Sequence, residues 1–244
     1  MASIDFEKEK KGFREYYDGN YQLFEEAVNS LSTLTALLLT DQDAFPTPRV
    51  TFRVKDREEC INKFSRKYRK SLEESSTEYE IKDHITDIIG IRVICLYETD
   101  IELIREVLTK CFDVIEITDK TEAIESKDDV FGYKGLHLDL KLNGERSVLP
   151  EYSRISNLQF EAQIRTIVQD AWSVLDHKIK YKRNIPHPLK RRINRMAALF
   201  ELADQEFVNI KSETIELESK ASKVVSTVSD SPQSQVTKES EAIN

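Results

Sequence analysis

From Asp5 to about Thr40, Tyr17, Tyr21, Phe24, Val28, Leu31, Leu34 and Leu38 recur at intervals of three and four. That spacing stacks apolar side chains on one helical face and predicts one or two packed helices. Pro46 and Pro48 interrupt the pattern. Arg49 to Val54, short and rich in β-branched and aromatic residues, predicts a strand, and a charged helix is expected from Asp56, a suitable N-cap, to about Glu73. Ser71 to Asp83 is polar and reads as a loop, to which no function attaches from composition. Ile88 to Tyr97 is a nearly unbroken apolar run, as in a central strand buried on both faces.

Residues 100 to 112 return to helical spacing, Asp113 to Ile117 predicts another strand, and 119 to 130 an acidic loop. Gly135 to Leu142 alternates, with Leu136, Leu138, Leu140 and Leu142 on one side and His137, Asp139 and Lys141 on the other. After a polar excursion over 143–157, Leu158, Phe160, Ala162 and Ile164 turn to the core while Gln159, Glu161, Gln163 and Arg165 share the opposite face. Thr166 to Tyr181 is helical, with Trp172 as a core anchor. Beyond Pro186 and Pro188 a long amphipathic helix starts near Leu189, striped by Ile193, Met196, Leu199, Phe200, Ala203 and Phe207. From about Ser222 the Ser/Thr/Glu/Gln composition predicts a disordered tail. The resulting expectation is an α/β (α+β) fold, a mixed β-sheet flanked by helices. Helices over 1–45 precede a core over 46–185, and a C-terminal helix over 186–221 precedes the tail over 222–244.

Composition narrows the class. Of 244 residues, 39% are hydrophobic and 33% charged, with 6 Gly and 6 Pro, which favours a globular body over a low-complexity chain. No stretch is apolar enough to span a membrane, and the acidic N-terminal segment lacks a signal peptide's layout, so a cytoplasmic protein is expected. Cys60, Cys95 and Cys111 form no CxxC pair and read as small apolar residues. The net charge of -8 conceals blocks: residues 53–70 carry eight Lys/Arg against three acids and 164–195 nine against two, while 71–163 carry ten against twenty-one. Brought together, the basic stretches would form a basin suited to a compact polyphosphate; apart, they are solvated helix faces.

Two acids stand out within this pattern. Asp87 opens the apolar strand that contains Arg92, and Glu161 lies on the polar face of the 158–164 strand. Carboxylates on neighbouring strands can share a Mg²⁺ ion, which takes one or two of them together with phosphate oxygens and water. Acids at strand ends serve equally well as caps or ion-pair partners, and spacing alone leaves both readings open.

Three blocks, DIIGIR (87–92), FGYKGLH (131–137) and EAQIRT (161–166), resemble in this order the D-x-x-G-x-R, G-Y-x-x-x-H and E-x-Q-x-R-T signatures of the RelA/SpoT synthetase domain. RVKDREECINKFSR (53–66) is similar to that family's ATP-phosphate-binding run, and AWSVLDHKIKYK (171–182) to its helix ending in a His and alternating lysines. The resemblance covers about Arg49 to Lys182. A basic residue after Tyr133 departs from the long multidomain members and looks more like the single-domain small alarmone synthetases.

The resemblance implies a nucleotidyltransferase-like fold that moves the β,γ-pyrophosphate of ATP to the 3′-hydroxyl of GDP or GTP and releases AMP. It implies Asp87 and Glu161 as the catalytic, Mg²⁺-holding pair, with Glu161 alternatively taking the hydroxyl proton. Arg53, Lys55, Lys63, Arg66 and Arg92 would bind ATP, Arg53 and Arg92 stacking on adenine. Tyr133, Lys134, His137, Gln163, Arg165, His177 and Lys178 would face the acceptor, Tyr133 stacking on its guanine. Plainer readings stand beside these: Tyr133 as a turn aromatic and His137 as a hydrogen-bonded strand histidine. None of His84, His137, His177 or His187 precedes an Asp, so no hydrolase dyad is expected. A homo-oligomer without membrane association is expected. Rival readings are a toxic relative that pyrophosphorylates tRNA 3′ ends or adenosine nucleotides, and a non-catalytic nucleotide- or RNA-binding module.

Overall fold

The computed structural model describes residues 2–40, 42–119, 135–180 and 186–229. The N-terminal periodicity becomes one continuous helix, α1 (Phe6–Leu38), capped by Asp5, whose carboxylate accepts from the N–H groups of Glu7 and Lys8 at 3.0 and 3.2 Å. Phe13, Tyr17, Phe24, Val28, Leu31 and Leu34 are buried on its inner face, whereas Tyr21 is about half exposed.

Among the described residues five strands form a single sheet: β1 (Arg49–Val54), β2 (Ile89–Cys95), β3 (Phe112–Asp119), β4 (Leu136–Leu142) and β5 (Gln159–Thr166), in the order β1-β2-β5-β4-β3. Only β2 and β5 run parallel; the other neighbours are antiparallel. Strand alternation sorts the two faces. Ile89, Ile91, Val93, Leu138, Leu140, Phe160, Ala162 and Ile164 enter one core, covered by α1 and by α4 (Glu98–Cys111). Gly90, Arg92, His137, Asp139, Glu161, Gln163 and Arg165 fall on the opposite face. β3 is an edge strand on which Phe112 alone is buried, stacked edge-on against Phe160 at 5.1 Å.

The charged helix after β1 is not continuous. Asp56 caps α2 (Arg57–Phe64) as expected, but a π-helical turn (Ser65–Arg69) intervenes before α3 (Lys70–Glu74). The expected loop from Ser71 is therefore helical at its start and anchored later: Tyr79 and Ile81 are buried, and the Tyr79 ring lies 4.8 Å from that of Phe64. Ser76 ends α3 with a positive φ of 51°. Its N–H donates to Glu73 O (3.2 Å), and that of Thr77 to Leu72 O (3.0 Å). This is the paired closure that a glycine commonly supplies at a helix end.

A short helix, α5 (Gly144–Ser147), precedes β5, which passes into α6 (Ile167–Lys180) and then α7 (His187–Ser229). Trp172 is buried, its ring 5.3 Å from Phe200 on α7. The stripe expected on α7 is only partly covered: Ala197 and Asp204 are buried, while Met196, Leu199 and Phe207 remain exposed. The compact body extends to Gln205; from Glu206 the described residues continue helically to Ser229, past the expected end at 221. The remainder of the tail, and the acidic loop expected over 119–130 beyond Asp119, lie outside the described residues. No helix among the described residues is long and apolar enough to cross a membrane.

Because Ser76 holds a left-handed conformation that a Cβ disfavours, Ser76→Gly is expected to stabilise the protein by about 1 kcal/mol. Urea unfolding midpoints compared with wild type would read this, and an unchanged or lowered midpoint would contradict it.

Candidate active site

Strand pairing builds the site. β2 and β5 align Gly90 with Glu161 and Arg92 with Gln163; β4 on the other side aligns Asp139 with Glu161 and His137 with Gln163. β1 sets Arg53 opposite Gly90 and Thr51 opposite Arg92. A cleft on this face is lined by Thr51, Arg53, Asp87, Arg92, Glu161 and Gln163. Gly90 forms its floor: a methyl group there would sit 3.6 Å from Arg53 Cγ, so the arginine lies across bare backbone.

Asp87 sits just before β2, its side chain 11% exposed. Lys55 Nζ donates to Oδ2 at 2.5 Å and Lys63 Nζ lies 2.9 Å from Oδ1. Lys55 follows β1 and Lys63 lies on α2, so the two basic residues converge on one carboxylate from separate elements. Tyr17 fixes the Lys55 backbone, its hydroxyl donating to Lys55 O at 2.7 Å. Burial pushes the Asp87 carboxyl up, but the Lys55 hydrogen bond and the two ammonium charges outweigh it and hold it below its ordinary value. Lys63 responds in the opposite sense: burial opposes its charge, yet Asp87, and Glu161 further off, raise its affinity for the proton.

Glu161 is held from two sides. His137 Nδ1 lies 2.9 Å from Oε1, and Gln163 Nε2 donates to Oε2. Burial again acts upward, but these hydrogen bonds and the His137 charge bring the carboxyl down to about 2. Gln163 in turn accepts from Arg165 Nη2. Asp139, beside Glu161, behaves differently: burial and the neighbouring Glu161 charge raise it, although Thr86 Oγ1 donates to its Oδ2 at 2.8 Å.

Both Asp87 and Glu161 are thus acceptor-only anions opening on one cleft. Among the described residues no group of three or more His, Cys, Asp or Glu gathers as a metal cage. Two carboxylates beside cationic side chains fit a Mg²⁺ ion whose other ligands arrive as phosphate oxygens and water.

The remaining candidates divide. Arg92 lines the cleft with Nη1 3.0 Å from Asp170 Oδ1. Arg66 is exposed on the π-helical turn and does not line the cleft. Lys178 is exposed on α6. Arg165, expected toward the acceptor, is instead buried, donating to Ser173 Oγ at 2.9 Å as well as to Gln163. Tyr133 and Lys134, and the His177 side chain, lie outside the described residues. The basic basin is also smaller than the charge blocks suggest. Arg57 and Arg69 pair with Asp18 and Glu73, and Lys190, Arg191, Arg192 and Arg195 are exposed on α7. Sequence reasoning missed Thr86, Asp139 and Asp170 as members of this constellation. The strand alternation already sets Asp139 beside His137, but Asp170 carries no signal in the sequence, because only the packing of α6 against β2 and β5 brings it to this face.

Comparison with known proteins agrees with this geometry. Residues 52–186 match the family described as "Region found in RelA / SpoT proteins". The chain is 27% identical over 219 residues to the GTP pyrophosphokinase YwaC of Bacillus subtilis, covering 86% of this chain and 98% of the relative. It is 29% identical over 202 residues to the GTP pyrophosphokinase YjbM of the same organism, covering 80% and 86%. The crystal structure of small alarmone synthetase 2 from Bacillus subtilis superposes with a TM-score of 0.64 at 27% identity, covering 81% of this chain and 98% of that one. Matched over more than half its length and carrying the sheet and carboxylate pair described above, the chain belongs to the RelA/SpoT family.

Proposed function

We propose that the protein is a (p)ppGpp synthetase, transferring the β,γ-pyrophosphate of ATP to the 3′-hydroxyl of GDP or GTP. The observation that carries this reading is the opening of Asp87 and Glu161 onto one cleft walled by Arg53 and Arg92. The two similar proteins named GTP pyrophosphokinases favour a guanosine nucleotide over tRNA or an adenosine nucleotide as acceptor.

In the reaction the 3′-oxygen bonds to the β-phosphorus while the bond from that phosphorus to the α–β bridging oxygen breaks. AMP leaves with that oxygen, and the hydroxyl proton passes to a base. Positioning and charge neutralisation dominate such a transfer. Asp87 and Glu161 are the residues that would hold Mg²⁺, which when bound neutralises triphosphate charge. The low proton affinity of Glu161 makes it a weak base and supports the metal-holding role over proton abstraction. Lys55 and Lys63, which neutralise Asp87 in this state, are placed to transfer their charge to phosphate oxygens. Arg53 and Arg92 present guanidinium groups to the adenine, and His137 and Gln163 orient Glu161. Arg66, Tyr133, Lys134, His177 and Lys178 complete the proposed nucleotide contacts. A cytoplasmic, oligomeric enzyme is part of this reading, and exposed Met196, Leu199 and Leu202 on α7 are consistent with a subunit contact.

Incubation with γ-labelled ATP, Mg²⁺ and either GDP or GTP should move label onto the guanosine nucleotide. Asp87→Asn and Glu161→Gln should each lower the transfer rate by at least about a hundredfold with folding retained. Label moving only to tRNA or AMP, or wild-type rates in both variants, would contradict the proposal. The Glu161 carboxyl is lower in the folded protein than its ordinary value of 4.5, so its stabilising contribution is complete above that value and is lost as pH falls toward about 2. The stability difference between wild type and Glu161→Gln should therefore shift against wild type between about pH 5 and about pH 2.5. A difference that stays constant across that window would contradict the assignment.

A further inference from the structure

Asp170 touches nothing in the proposed reaction, yet it is the point at which two arginines of the polar face meet. Its Oδ1 lies 3.0 Å from Arg92 Nη1 and 3.6 Å from Arg165 Nη1, and its side chain is only 14% exposed. Arg92 belongs to β2 and Arg165 to β5, two parallel neighbours, so without an acid above them two guanidinium charges would share one patch of sheet.

The position of Asp170 is set by the junction between β5 and α6. Thr166 ends the strand and caps the helix: its Oγ1 accepts from Gln169 N–H at 3.0 Å while Gln169 Oε1 accepts from Thr166 N–H at 3.2 Å. That reciprocal pair is a capping box. The Thr166 hydroxyl also donates to Asp204 Oδ2 at 2.7 Å, which ties the junction to α7. Asp170 follows one residue later, in the first turn, where the helix dipole favours an anion. Arg165 completes the bracing through Ser173 on α6 and Gln163 on β5.

We propose that Asp170 is a positioning residue for ATP: it fixes Arg92 at the cleft wall, with Arg165 as its buried counter-charge. The inference rests on the reading of the cleft given above. An arginine loses considerable rotamer freedom when it orders on a ligand, and a carboxylate that already holds one end of the guanidinium removes part of that cost before the nucleotide arrives. Arg92 keeps 30% of its side chain accessible despite the tether, so it is held without being sealed off. The same contacts join the two halves of the site. From His137 through Glu161, Gln163, Arg165 and Asp170, an unbroken run of polar contacts reaches Arg92.

The test is calorimetric titration of α,β-methylene-ATP with Mg²⁺ into wild type, Asp170→Asn, Asp170→Glu, Arg92→Ala and the Asp170→Asn/Arg92→Ala double variant, with thermal melts of each. The analogue cannot be cleaved at the bond that reacts, so binding is read without turnover. Asp170→Asn should weaken the analogue about tenfold, Asp170→Glu should restore it to within about threefold, and the double variant should bind like Arg92→Ala alone. KM for the guanosine nucleotide should be unchanged in Asp170→Asn. Wild-type affinity in Asp170→Asn, or a further loss of about tenfold on adding it to Arg92→Ala, would overturn the positioning role and leave the cleft's assignment intact. A wild-type protein that binds no analogue would instead remove the assignment of the cleft, and this inference with it.

Discussion

Parallel pairing of β2 with β5 places Gly90 beside Glu161 and Arg92 beside Gln163, while the antiparallel partner β4 adds His137 and Asp139 to the same face. A strand's side chains alternate, so a slip of one residue at either junction would turn Glu161 into the core and Phe160 or Ala162 out of it. Burial makes that slip costly, because Ile91, Val93, Leu138, Phe160, Ala162 and Ile164 all occupy the apolar side. The packing that stabilises the sheet is therefore also what keeps the acids and bases of the cleft in register.

Charge on the polar face is compensated locally. Asp87 is neutralised by two lysines and Glu161 is hydrogen-bonded to His137 and Gln163, so neither carboxylate is an isolated buried anion. Such an arrangement tolerates burial only while each partner is present. Under the proposed function, an incoming triphosphate and its cation would meet groups that are already ionised, and exchange of Lys55 and Lys63 from carboxylate to phosphate would cost less than charging a buried acid.

The alternations at 135–142 and 158–164 make two strands and their polar faces legible in the amino-acid order itself, and with them His137, Glu161 and Gln163. Periodicity likewise marks α1, and composition marks β1. The end of the charged helix, expected near Glu73, falls at Glu74, but the left-handed residue that closes it is Ser76, not Gly or Asn, so the form of that closure is not written in the sequence. Arg165 departs from expectation for a different reason. Its alternation is right, but α6 folds back over the C-terminal end of β5 and buries it against Ser173, a tertiary effect that strand pattern cannot contain. Asp170 is invisible on the same ground, since its partners Arg92 and Arg165 lie on two different strands that only the folded sheet sets side by side. The α7 stripe is readable as a pattern but not as a destination: Ala197 is covered within the body while Met196 and Leu199 are not.

The proposed transfer requires Asp87 and Glu161 to serve a single cation. Crystals grown with α,β-methylene-ATP and Mn²⁺ in place of Mg²⁺ would locate that ion by its anomalous signal. An anomalous peak bound by both carboxylates, with Lys55 and Lys63 released from Asp87 onto phosphate oxygens, is the predicted result. Nucleotide bound in the cleft with the ion elsewhere, and Asp87 still held by both lysines, would contradict it.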